Sequence, residues 1–100
     1  MHKDLEGLTL DAAEHLAVQA LVFVTAEQAR LSRFMALTGL TPGQVREQAE
    51  TPQFLAAVLE HLLADESLLL SFAANASIEP RAVAPAFALL QQAVVGTRQR

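Results

Sequence analysis

This sequence predicts an all-α fold: a compact bundle of five or six short helices, arranged as two similar halves. Three observations carry that reading. Ala and Leu dominate the chain, and both are strong helix formers. Helix punctuation recurs, with Thr41-Pro42 and Thr51-Pro52 each placing a capping hydroxyl before a proline at the first helical position. The chain also repeats itself at a spacing of 38 positions. Leu31, Phe34, Ala36, Pro42 and Val45 recur as Leu69, Phe72, Ala74, Pro80 and Val83, while Leu40 is answered by Ile78 and Glu27 by Asp65. Aligning residues 14–49 on 52–87 gives seven identities, against about four expected from an Ala- and Leu-rich composition. The order of features therefore weighs more than the identities. Each half reads as an apolar helix, a capped helix with Phe, a break, an apolar residue, Pro, and a short helix with Val. Two such units should close on each other, because an open array needs about three or more.

The elements run in order along the chain. Residues 1–8 read as an arm and 96–100 as a tail, flanking a single helical domain within 1–100. Thr9 caps a first helix from Leu10 to about Val24, apolar on nearly every side after Gln19, as a buried or interfacial helix would be. Thr25-Ala26-Glu27-Gln28 has the capping-box pattern and opens a second helix to about Leu37. Leu31, Phe34, Met35 and Leu37 are its core candidates, and Arg30 and Arg33 are assigned to water. Gly39 supplies a left-handed cap, and Thr41 to Gln44 opens a short third helix to about Ala49. Thr51-Pro52 opens a fourth helix to about Ala64, with Leu55, Val58, Leu59, Leu62 and Leu63 as its stripe. Asp65 caps a fifth helix holding Leu68, Leu69, Leu70 and Phe72, which ends around Asn75 to Ser77. Pro80 opens a sixth, with Val83, Phe87, Leu90 and Val94 on one face. Pro85 lacks an N–H and predicts a kink or a restart within that segment.

Composition excludes several classes of function. There is no Cys, hence no disulfide, thiolate metal site or Cys nucleophile. The chain is 52% hydrophobic and 18% charged, against about 25% charged in an ordinary domain, so part of the apolar surplus is expected at a surface. No apolar run approaches the length of a membrane span, and the N-terminus lacks the apolar core of a signal peptide. The expectation is a cytoplasmic protein with no membrane insertion. Net charge is −4, and the seven Lys and Arg are scattered, which argues against nucleic acid as a partner.

The candidate chemistry is thin. Phe34 to Val45 has a helix-turn-helix look, yet its would-be recognition helix offers Arg46 against Glu47 and Glu50. His61 and Asp65 share a helical face beside Glu60, a spacing that suits a metal. No second His lies within a turn, however, and His15 is answered by Gln53 across the repeat. Asp65 and Glu66 are neighbours at a helix start, where a cap and a dipole partner account for them. Ser32, Ser67, Ser71 and Ser77 have no His and acid helpers at a recognisable spacing, and there is no glycine-rich phosphate loop. No catalytic, cofactor-binding or metal residue is therefore assigned.

Glu14 to Leu21, Arg33 to Leu40, Phe54 to Leu59 and Asp65 to Ala73 occur in an order that resembles a known family. The stretch from Ala12 to Leu90 is similar to short alphaproteobacterial proteins catalogued as domain of unknown function 3572. Pro85 departs from that family's uninterrupted last helix. The resemblance implies a compact all-helical protein and brings no activity, cofactor or catalytic residue.

The expected function is a non-catalytic interaction module, using an apolar helix face for self-association as a homodimer or for a protein partner. The candidate face is Leu55, Leu59, Leu62 and Leu63 of the fourth helix with Leu68, Leu69 and Leu70 of the fifth. Val18 to Val24 is a second candidate, and plain core is the competing reading of both. The alternative is a binder of a small apolar ligand between the halves. The remote alternative is a helix-turn-helix DNA binder.

Overall fold

Six α-helices make up the described part of the chain. The structure is a computed structural model that describes residues 8–98. The helices are α1 (Leu10–Thr25), α2 (Gln28–Thr38), α3 (Pro42–Gln48), α4 (Pro52–Leu63), α5 (Glu66–Ala76) and α6 (Val83–Arg98), with a 3-10 turn at Pro80–Ala82. Residues 1–7 and 99–100 lie outside the described residues, and with them most of the expected arm and part of the expected tail. Leu8 packs on the core, and α6 continues through Gly96 to Arg98.

Local chemistry sets most boundaries. Thr9 Oγ1 accepts from the Ala12 N–H at 3.1 Å, satisfying a first-turn donor of α1. Thr41 and Gln44 exchange both bonds of a capping box, at 3.2 and 2.9 Å. Thr51 caps α4 through the Phe54 N–H, and Asp65 caps α5 through the Leu68 N–H. The capping box expected at Thr25 does not form. The Thr25 hydroxyl donates back to the Leu21 carbonyl at 2.9 Å and closes α1 instead. The second helix begins only at Gln28, behind a Glu27 whose side chain makes no cap bond. Pro85 sits in the first turn of α6, where its missing N–H has no helical acceptor to lose. The restart occurs two residues earlier, where the 3-10 turn gives way to α-helix at Val83.

The two halves coincide from the end of their first helix through the second break. α2 and α5 have boundaries displaced by 38 positions at both ends, and so do the last residues of α1 and α4. Gly39 and Ser77, also 38 apart, are the left-handed caps of α2 and α5, at φ 77° and 59°. Pro42 and Pro80 then open the next element in each half.

The core lies where α1, α4 and α6 pack on one another. Ala13, Ala17 and Ala20 form a fully buried seam of short side chains on α1, which lets neighbouring helices approach closely. Leu55, Val58, Leu59 and Leu62 of α4 and Val83, Ala86 and Leu90 of α6 fill the rest. Rings tie the outer helices on by exchange between halves. Phe34 of α2 lies edge-on to His61 of α4, with centroids 5.0 Å apart, and meets Phe54 at 6.0 Å. Phe72 of α5 meets Phe23 of α1 at 5.6 Å. Phe34 and Phe72 are repeat equivalents, and so are His61 and Phe23. Each half therefore sends one ring to the same position of the other. α3 contributes no buried residue.

Candidate functional site

The largest exposed apolar feature on α1 is the pair Val18 and Val22, one turn apart, at 41% and 62% exposure. The C-terminal part of α1 is apolar on nearly every side, so it leaves apolar side chains outside where only one side is covered. Beside these residues, a shallow hollow of about 370 Å³ lies between α1 of the first half and α5 of the second. Val18, Gln19 and Val22 line one wall; Phe72, Asn75 and Ala76 line the other. A second hollow of about 270 Å³ shares Val18 and is bounded by Glu14, Glu50 and Leu55, so carboxylates flank the apolar strip at that end.

The leucines expected to form a face do not stay together. Leu55, Leu59 and Leu62 are core residues, at 2%, 0% and 0% exposure, because the inner side of α4 is covered by α1 and α6. They are removed from the candidate face, apart from the edge that Leu55 gives to the smaller hollow. Leu63, Leu68 and Leu69 are half-buried against the core, and Leu70 alone is exposed. Three successive leucines cannot all face one interior, and Leu70 is the one that points away. The Val18 to Val24 candidate divides too: Phe23 and Val24 are core, Leu21 is half-buried, and Val18 and Val22 face outward.

Two further expectations on α2 are corrected. Leu37 is 64% exposed rather than core. Arg30 is not left to water. Its guanidinium lies 4.0 Å over the Phe23 ring, its Nε donates to the Phe23 carbonyl at 3.0 Å, and Glu27 pairs with it at 3.2 Å. Such stacking contributes about 0.5–2 kcal/mol. Arg33 is exposed, 4.0 Å from Asp65.

His61 is the one buried polar residue among the described residues, and its Nε2 has no hydrogen-bond partner. Burial holds its pKa below the usual value of 6.5; the Arg33 charge adds to this and Asp65 opposes it. The imidazole is thus a neutral core ring packed on Phe34. Asp65 serves as the α5 cap. Among the described residues, no three His, Asp or Glu side chains come together as metal ligands. No described helix is long and apolar enough to cross a membrane. The helix-turn-helix segment does form α2, a three-residue turn and α3, but α3 presents Arg46, Glu47 and the following Glu50 on its exposed surface.

Comparison with known proteins adds one finding. No curated protein and no solved structure matches the chain. A family model described as a protein of unknown function, DUF3572, matches residues 10–93, which span α1 to most of α6. With both the helical order and the matched span covering most of the sequence, the chain belongs to the DUF3572 family.

Proposed function

We propose that this protein is a non-catalytic interaction module of the cytoplasm, whose contact surface is the outward side of α1. The observation that carries this is the exposure of Val18 and Val22 beside an open hollow, on a helix whose opposite seam is fully buried. Exposed apolar side chains that line a concavity suit a partner better than they suit water. Three of the side chains that could carry chemistry already have structural roles. His61 is in the core, Asp65 caps α5, and Glu27 pairs with Arg30. A small ligand is a weaker fit, because ligand sites cover most of their guest's surface, whereas this hollow is shallow and carries Gln19 and Asn75 in its walls.

Site-specific photo-crosslinking in cells tests the reading. A benzophenone side chain at position 22 is expected to give a discrete crosslinked species. The same group at Gln91, exposed on α6, is expected to give none. Absence of a product at 22, or equal products at both positions, would sink the reading.

A further inference from the structure

The hollow has a counterpart of opposite shape. At the repeat-equivalent positions, Val18, Gln19 and Val22 become Ala56, Ala57 and Glu60 of α4, and Phe72, Asn75 and Ala76 become Phe34, Leu37 and Thr38 of α2. Where the second half places Asn75 in the wall of a concavity, the first half places Leu37, the most exposed large hydrophobic residue among those described. The first half carries an apolar knob on α2, and at the matching place on α5 the second half supplies one wall of the hollow whose other wall is α1.

Charge obeys the same division. α2 contains no acidic residue, and Arg33, largely exposed and only 4.0 Å from Asp65 of the same chain, stands four positions before Leu37, one helical turn away on the same face. On α1, Glu14 stands four positions before Val18, and Glu50 joins it around the adjoining hollow. A helix laid parallel to α1 with its leucine beside Val18 and Val22 would bring a cation one turn N-terminal to that leucine against these carboxylates. The α2 helix of this chain has that pattern and that spacing.

We propose that two copies of this chain associate, with Leu37 on α2 of one entering the hollow between α1 and α5 of the other, and Arg33 set against Glu14 and Glu50. This rests on the module reading and names its occupant as a second copy. Apolar contact supplies the affinity, and the charges set the orientation.

The absence of Cys from the chain allows a direct test. Leu37→Cys and Asn75→Cys are made as separate proteins, mixed and mildly oxidised. The proposal expects mixed 37–75 disulfides well in excess of either like-with-like product. A statistical mixture, or no disulfide, overturns it. Sedimentation of the unmodified chain is expected to show concentration-dependent association, weakened at least tenfold by Val22→Glu or Leu37→Asp with unchanged helical content. Arg33→Glu should weaken it as well, and Glu14→Arg in the same chain should restore it. A chain that stays monomeric at all concentrations overturns self-association. The module reading then stands or falls on whether position 22 crosslinks a different protein in cells.

Discussion

The halves α1–α3 and α4–α6 share their breaks and the left-handed caps Gly39 and Ser77 but diverge beyond the second break. In the first half, Pro42 opens a helix of 7 residues with nothing buried. In the second, Pro80 opens a 3-10 turn that runs into the 16-residue α6, one of the three central helices. The same local grammar thus yields a surface connector in one place and a core element in the other. The cause lies in the residues after the shared start. Val45 is succeeded by Arg46, Glu47 and Gln48, whereas Val83 is succeeded by Ala86, Phe87 and Leu90 at core spacing. Caps decide where a helix begins; the apolar stripe decides how deep it goes.

The comparison can be broken at several depths. The rings should give the largest effect. Phe34→Ala and Phe72→Ala each empty a fully buried site and should cost about 3–5 kcal/mol in urea unfolding. Similar costs would mean that the two crossings are equivalent; a large inequality would mean that one half dominates the core.

His61 is the next test, because Phe23 occupies the same place in the other half. His61→Phe removes an orphaned buried nitrogen and should stabilise the fold by about 1 kcal/mol. It should also remove an acid sensitivity. The folded imidazole has a lowered pKa, so below pH 6.5 the unfolded chain takes up a proton that the folded chain resists. Stability contributed by the neutral ring is present above that value and is lost as pH falls through the lower folded pKa. Unfolding monitored at neutral and mildly acidic pH should show this loss in the natural chain and a smaller one in His61→Phe.

The caps provide finer tests. Ser77 holds a left-handed conformation that Gly39 adopts without penalty. Ser77→Gly should therefore add about 1 kcal/mol, and Gly39→Ser should remove about as much. Smallest of all is the contrast between Asp65 and Glu27. Asp65→Ala loses a cap bond and should cost about 1 kcal/mol. Glu27→Ala loses only a surface ion pair and should cost less than about 0.5 kcal/mol. Thermal unfolding of these variants would rank them.

Much of the fold is legible in the sequence, and the part that is not has a common cause. Thr9, Gly39, Thr41, Thr51 and Asp65 act on residues within a few positions, so their roles can be read locally. Thr25 misleads because its hydroxyl has two local partners to choose from, and it takes the carbonyl behind rather than the amide ahead. Leu37, Arg30 and the α4 leucines depend on which face a neighbour covers, and that is a property of the whole assembly. Arg30 is the clearest case: the ring it lies over sits seven residues back, across a bend that neither residue announces. On the candidate site, Val22 belongs to the apolar run Ala20–Val24, and Val18 precedes that run across Gln19. The outer side is marked only earlier in α1, where the exposed Asp11 and His15 continue at helical spacing to Val18 and Val22; the valines themselves carry no polar group that sets them apart from Phe23 and Val24.

The ring exchange has one more consequence. Because Phe34 completes the surroundings of α4, and Phe72 those of α1, neither half owns a finished interior. If each half depends on the other in this way, the short tether at residues 49–51 can be cut and the halves treated as partners. Severed between Glu50 and Thr51, the fragments should be largely unfolded apart and regain helix only when mixed. Their reassembly would then show second-order kinetics, whereas the intact chain folds at a rate independent of its concentration.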